Sequence, residues 1–268
     1  MRLRSVFLVI IVCLNFIHMN EVSAGEKFII TGLEAPPYII VDNDMNVSGL
    51  TVDLIRQAFK TINLEPEFKI SNWPRAFETT KNGLADAIIP TIKSQDRMEF
   101  FSFSGEPLTV LQMSLMHNPS KPIVYHGDIN NLKPYIIGKI RKARVSPDFD
   151  EAVANKTIIA EERSSFGLLA MAVANKRLDA MAGDELMGLW GAAENGVLNN
   201  IDVVRPHLAD IPVFLAISKK SKFISRIDEI SHALKKAKSN VDFLNNLHSY
   251  EKFLNRNLVE NIISKSVD

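Results

Sequence analysis

Ala85-Asp86-Ala87-Ile88-Ile89-Pro90-Thr91-Ile92-Lys93-Ser94-Gln95-Asp96-Arg97 and Leu178-Asp179-Ala180-Met181-Ala182-Gly183-Asp184-Glu185 are the stretches that decide the fold. In the first, residues 85–89 read as a buried strand that leaves its sheet at Pro90 and passes hydroxyl-bearing residues to reach an arginine. In the second, residues 178–182 read as a buried strand ending in a glycine and two carboxylates. Outward from both, strand and helix signals alternate. Residues 28–31 are a short β-type run, Ala35-Pro36-Pro37 is a turn, and residues 38–41 resume a strand before the polar, hairpin-like stretch 42–48. Leu50, Leu54, Ile55, Ala58, Phe59 and Ile62 then recur at helical spacing behind Ser48 as N-cap, and Asn63 with Pro66 ends that helix. Pro74 behind Asn72 opens a second helix that Gly83 closes. The second half repeats the grammar. Residues 135–140 and 157–160 read as strands around a short helix 149–154, Ser164 caps a helix to 175, and Asp184 begins another reaching about residue 194. After a strand at 213–218, amphipathic helices carry Ile224, Ile227, Ile230 and Leu234, then Val241, Leu244, Leu247 and Phe253. This alternation defines an α/β class with mostly parallel sheets flanked by helices.

The chain has 268 residues, 46% hydrophobic and 23% charged. That composition excludes disorder, and the length fits one large domain or two small ones, with two expected. Lysine plus arginine (31) balances aspartate plus glutamate (31), which removes the electrostatic case for nucleic acid. A single cysteine, Cys13, excludes a disulfide framework and a multi-thiolate metal centre, and the six histidines show no pair at ligand spacing. No metal and no cofactor is expected. Residues 1–24 read as a secretory signal: Arg2 and Arg4 in front, an apolar run from Val6 to Ile17, and Val22-Ser23-Ala24 at the cleavage point. The run falls short of the roughly 20 residues a membrane span needs.

In open α/β sheets ligands sit at the carboxyl ends of strands and the amino ends of the following helices. A guanidinium at Arg97 and a carboxylate at Asp184 would there clamp a zwitterion. Each has a plainer reading. Arg97 between Asp96 and Glu99 has the makings of a solvated ion pair, Asp184 of a helix N-cap, and Trp73, beside a helix start, of core packing.

Taken in order, Ala35-Pro36-Pro37-Tyr38, Ser48-Gly49-Leu50-Thr51-Val52-Asp53-Leu54, Asn82-Gly83-Leu84-Ala85-Asp86-Ala87-Ile88-Ile89, Gln95-Asp96-Arg97-Met98-Glu99-Phe100-Phe101-Ser102-Phe103-Ser104 and Arg177-Leu178-Asp179-Ala180-Met181-Ala182-Gly183-Asp184-Glu185 resemble the periplasmic solute-binding proteins of the polar amino acid ABC transporters, bacterial extracellular family 3, in a divergent branch. The resemblance implies the type II binding-protein fold: two α/β lobes joined by a pair of crossing strands, with the ligand in the cleft between them. Lobe 1 would be residues 25–118 plus 211–268 and lobe 2 residues 119–210. It implies that Arg97 grips a ligand α-carboxylate, that Asp184 receives the α-ammonium, and that Trp73 and Tyr38 lie against the ligand. Thr91 and Ser94 would help hold the carboxylate, and Arg75 would meet an acidic side chain. The function implied is non-catalytic: a monomeric periplasmic receptor that closes by a hinge on an amino acid or related carboxylate and delivers it to an inner-membrane ABC permease. A cyclohexadienyl or prephenate dehydratase-like enzyme on the same fold, and a ligand sensor for a membrane signalling protein, remain as alternatives. The loop from Asp86 to Arg97 is one residue shorter than is usual in the family. In the second lobe, the family's glycine-threonine turn is replaced by Arg141-Lys142-Ala143-Arg144, either a solvated face or the sign of a more acidic ligand.

Overall fold

The computed structural model describes residues 25–254. The expected signal segment and Cys13 lie outside the described residues. The strands in chain order are β1 (Glu26–Gly32), β2 (Ile40–Val41), β3 (Val47–Ser48), β4 (Leu64–Ile70), β5 (Ala87–Ile92), β6 (Phe101–Phe103), β7 (Thr109–His117), β8 (Ile136–Ile140), β9 (Ile159–Arg163), β10 (Ala180–Asp184), β11 (Asp202–Val203) and β12 (Ala209–Ser218). Eight of them form one path, β4-β1-β5-β12-β7-β10-β8-β9, with β6 added to β12, β11 to β7, and β2-β3 a separate hairpin. β1 runs parallel to β4 and β5, and β8 parallel to β9 and β10. Between these two parallel trios lie β7 and β12, antiparallel to each other from Ala209 opposite Met113 to Val213 opposite Thr109. Two α/β halves therefore meet through a pair of long crossing strands. This is the type II binding-protein architecture.

The helices follow from apolar spacing and capping. Helix Leu50–Lys60 buries Leu50, Leu54, Ile55, Ala58 and Phe59. Phe59 meets Phe28 of β1 edge-on at 5.0 Å, and Phe28 tilts against Phe223 at 4.8 Å. Its N-cap is Gly49, with no side-chain cap bond, rather than Ser48. The reason is visible in the backbone. The N–H groups of Leu50 and Thr51 donate to the carbonyls of Pro37 and Tyr38 at 3.0 and 3.1 Å, so two of the first-turn donors are satisfied without a side-chain cap. This close approach also requires glycine: Gly49 has φ 120°, and a Cβ there would lie 2.5 Å from the Tyr38 carbonyl oxygen. Gly49→Ala is expected to destabilise the fold by about 2–3 kcal/mol. Urea unfolding would read this, and an unchanged midpoint would show that the Pro37-Tyr38 segment yields.

Elsewhere the caps match the sequence signals. Asn72 accepts from the Arg75 N–H at 3.1 Å to open helix Trp73–Lys81, and Gly83 follows its end at φ 77°. Helix Pro147–Ala154, capped by Ser146, begins two residues ahead of the start read from the apolar pattern, because Pro147 occupies the first turn. Helix Phe166–Ala174 is capped by Ser165 rather than Ser164.

Several strands depart from expectation: β9 lies two to three residues later than residues 157–160, and β12 starts at Ala209 rather than 213. β5 does not leave the sheet at Pro90. Pairing with β1 stops at Ile89, while Thr91 and Ile92 continue against Phe214 and Val213 of β12, where the register shifts between Phe214 and Ala216. A proline, lacking its N–H, is tolerated at such an irregularity. β4 contains Pro66, read from the sequence as a terminator, and accommodates it at the edge of the sheet. β7, Thr109–His117, carries no strand signal in the sequence.

Two further helices, Ile227–Ala237 and Val241–Leu254, finish the described chain. The last packs on helix Leu50–Lys60 of one half and helix Glu185–Glu194 of the other. There the rings of Tyr250 and Trp190 lie 6.2 Å apart.

Candidate functional site

Asp184 ends β10 and caps helix Glu185–Glu194, its Oδ1 accepting from the Met187 N–H at 3.0 Å. The same carboxylate accepts from the Tyr38 hydroxyl at 3.2 and 3.3 Å and from the Gln112 N–H at 3.1 Å. Both side chains are sealed, Asp184 being 2% exposed and Tyr38 1%. Burial pushes the Asp184 carboxyl up to about 7, against the pull of its three donors. Burial beside that carboxyl also raises the Tyr38 phenol well above its usual range. Residues 146 apart in sequence thus join the two halves.

Arg97 stands on the short helix Gln95–Met98 just beyond β5. Its guanidinium lies 5.0 Å from the Trp73 ring centroid, and Nη1 donates to the Ile92 carbonyl at 3.0 Å. Partial burial lowers its pKa, with Asp96 opposing. Such a cation over an indole is held in place while its remaining donors stay usable. Ser94 donates to Asp96 at 2.5 Å, and Thr91 is fully buried, donating to the Ile88 carbonyl at 3.2 Å. Arg75 is exposed two residues beyond Trp73.

The sequence-derived residues therefore fall into two groups. Arg97, Trp73 and Ser94 gather at the end of β5, with Arg75 close by along its helix, whereas Tyr38 and Asp184 bond to each other. No described contact joins Arg97 to Asp184.

Two cavities lie beside these groups. One, of about 610 Å³, is lined by Ile92 of β5, by Arg144, Ser146 and Asp150 at the start of helix Pro147–Ala154, and by Asp210 of β12. Ile92, whose carbonyl accepts from Arg97, is the residue that this cavity and the Arg97 group share. The other, of about 470 Å³, lies between Glu34 and Pro36 on one side and Ser165, Phe166, Trp190 and Glu194 on the other. Ser146, Asp150 and Asp210 escaped the sequence reading. The only available signal was Ser146-Pro147, a helix opening. Glu185, the second carboxylate of its stretch, is committed elsewhere: it is buried and accepts from Arg205 at 2.9 Å and from Ser114 at 3.3 Å, with His207 at 3.5 Å.

A parallel trio on each side of two crossing strands, with a bordered cavity where strands end, defines a two-half α/β receptor. The family model of bacterial extracellular solute-binding proteins, family 3, matches residues 29–249, and the chain belongs to that family. No curated protein sequence matches it. Among solved structures it is similar to a probable amino-acid ABC transporter extracellular-binding protein from Bacillus subtilis, with TM-score 0.68 and 13% identity over 90% of this chain and 99% of that one. It is also similar to an ancestral arginine-binding protein bound to arginine, with TM-score 0.65 and 16% identity over 85% and 99% of the two chains. A histidine kinase sensor domain with similarity to periplasmic binding proteins matches with TM-score 0.63 and 17% identity over 86% and 95%. At these identities the likeness establishes the fold. The chain is a solute-binding protein that works outside the cytoplasm.

Proposed function

We propose that the chain captures an amino acid or related carboxylate in the periplasm, reached through the signal at residues 1–24, and passes it as a monomer to an ABC permease. Residues 25–118 and 211–268 act as one lobe, residues 119–210 as the other, and the ligand holds them closed by contacts made with both. The observation that carries this reading is Arg97. It is held by Trp73 and by the carbonyl of Ile92, a residue that lines a cavity together with Arg144, Ser146 and Asp150. A guanidinium so placed is suited to a bidentate carboxylate contact. Names of similar structures, an arginine-binding protein bound to arginine among them, point the same way. The likeness to a sensor domain favours a second reading, in which a membrane signalling protein receives the closed form.

A thermal-shift screen across amino acids, polyamines and organic acids tests the proposal. A true ligand stabilises the native state by about 2.7 kcal/mol at a hundred times its Kd. A panel without a single shift at millimolar concentrations would overturn it.

A further inference from the structure

We infer that the solute carries a cationic group, an ammonium or guanidinium on an aliphatic stem, and that this group is received between Glu34 and Glu194 in the second cavity. The inference rests on the solute-binding reading above and names the charge of the ligand, which that reading leaves open.

The site is the cavity of about 470 Å³ between the segment after β1 and the helices of the other half. Glu34 and Glu194 are the charged residues of its lining, one from each side, and both are exposed. Among the described residues neither carboxylate is paired with a cation. Asp184, 2% exposed, is not part of this wall. The cavity of about 610 Å³ has no such bias, because its lining mixes Arg144 with Asp150 and Asp210.

Two helix ends also reach the smaller cavity, and their dipoles oppose each other. Helix Phe166–Ala174 begins there, behind Ser165, and contributes about half a positive charge. Helix Glu185–Glu194 ends there, with no basic residue in its last turn, and contributes about half a negative one. The full charges of Glu34 and Glu194 therefore set the sign of the space.

The rest of the wall suits the stem of such a cation. Phe166 and Trp190 line it, and each ring is backed by the protein. A Cβ at Gly183 would lie 2.7 Å from the Phe166 ring, so glycine there lets the ring lie against β10, and the Trp190 ring meets Tyr250 at 6.2 Å. An aromatic face attracts a cation and also packs against methylenes. A neutral or anionic guest would leave two carboxylates beside it unpaired, which penalises the wrong ligand as much as pairing favours the right one.

The test is calorimetry on the mature protein, with L-arginine, L-lysine and agmatine set against L-citrulline, L-glutamine and succinate. L-citrulline keeps the shape of L-arginine and lacks its side-chain charge. At least one of the three cations should bind at least about tenfold tighter than each of the other compounds. Agmatine has no α-carboxylate, so its preference over L-arginine marks an amine as the source and the reverse marks an amino acid; both results support the inference. Glu34→Gln and Glu194→Gln should each weaken the preferred cation about tenfold or more, with the unfolding midpoint unmoved because both side chains are exposed. L-citrulline, L-glutamine or succinate bound as tightly as the best cation overturns the inference and leaves the solute-binding reading standing. Cation affinity undiminished in either variant overturns it as well. Silence from all three cations also overturns it, and silence in the broader screen removes the solute-binding reading too.

Discussion

Arg97→Ala abolishes calorimetric binding of the cognate solute, weakening it by about a hundredfold or more, while the unfolding midpoint barely moves. The two halves of this expectation come from different contacts. Within the protein, Arg97 makes one hydrogen bond to a carbonyl and one ring contact at 5.0 Å, on a helix of four residues. Partly exposed contacts of this kind contribute about 1 kcal/mol. Toward the ligand, a guanidinium supplies paired charge-assisted bonds, and its removal strands a carboxylate in a partly desolvated space. Arg97→Lys separates charge from geometry, because an ammonium keeps the first and loses the planar fork. It should fall between wild type and alanine. Binding that survives the alanine change would remove Arg97 from the site.

Asp184→Ala should destabilise the protein by about 3–5 kcal/mol, since three buried donors lose one acceptor together. Equilibrium urea unfolding measures this, and a loss under about 1 kcal/mol would mean that water or a neighbour replaces the carboxylate. Asp184→Asn is the informative companion. The folded carboxyl holds its proton up to about pH 7, whereas an unfolded aspartate releases it near pH 3.9. Between those values the native state binds more protons, so stability from this group is fully present below about pH 4 and is lost as pH rises through 7. The wild type should therefore decline relative to Asp184→Asn when unfolding is compared at pH 4.5, 6 and 8, by a few kcal/mol across the window. A difference that grows in the wild type's favour toward alkaline pH would show that the hydrogen bonds outweigh burial.

Local physics made part of this molecule legible in its sequence. The apolar stripe of helix Leu50–Lys60, the Asn72 cap with Pro74, the Asp184 cap and the turn at Gly83 each depend on neighbours within a few residues. β7 was not legible. Thr109 to His117 is nearly continuous in burial, with no clean period of two, and its partners Ala209 to Val213 are supplied about a hundred residues later. Pro66 misled for a related reason: a proline signals an end only until the strand is known to be at an edge. At the site, the place of Arg97 beyond β5 could be read from the strand preceding it. The Tyr38–Asp184 bond could not, because nothing in either segment announces a partner 146 residues away. The resemblance cast Tyr38 as a wall and Asp184 as an ammonium receptor. The structure bonds the two side chains to each other.

The helix Val241–Leu254 has a mechanical consequence. It lies across helices from both halves, with Tyr250 facing Trp190. A swing about the crossing strands would have to slide or lift this brace, so opening works against a spring mounted on the side where the chain returns. Opening amplitude, and with it the rate at which a guest escapes, becomes a property of the tail as much as of the pocket.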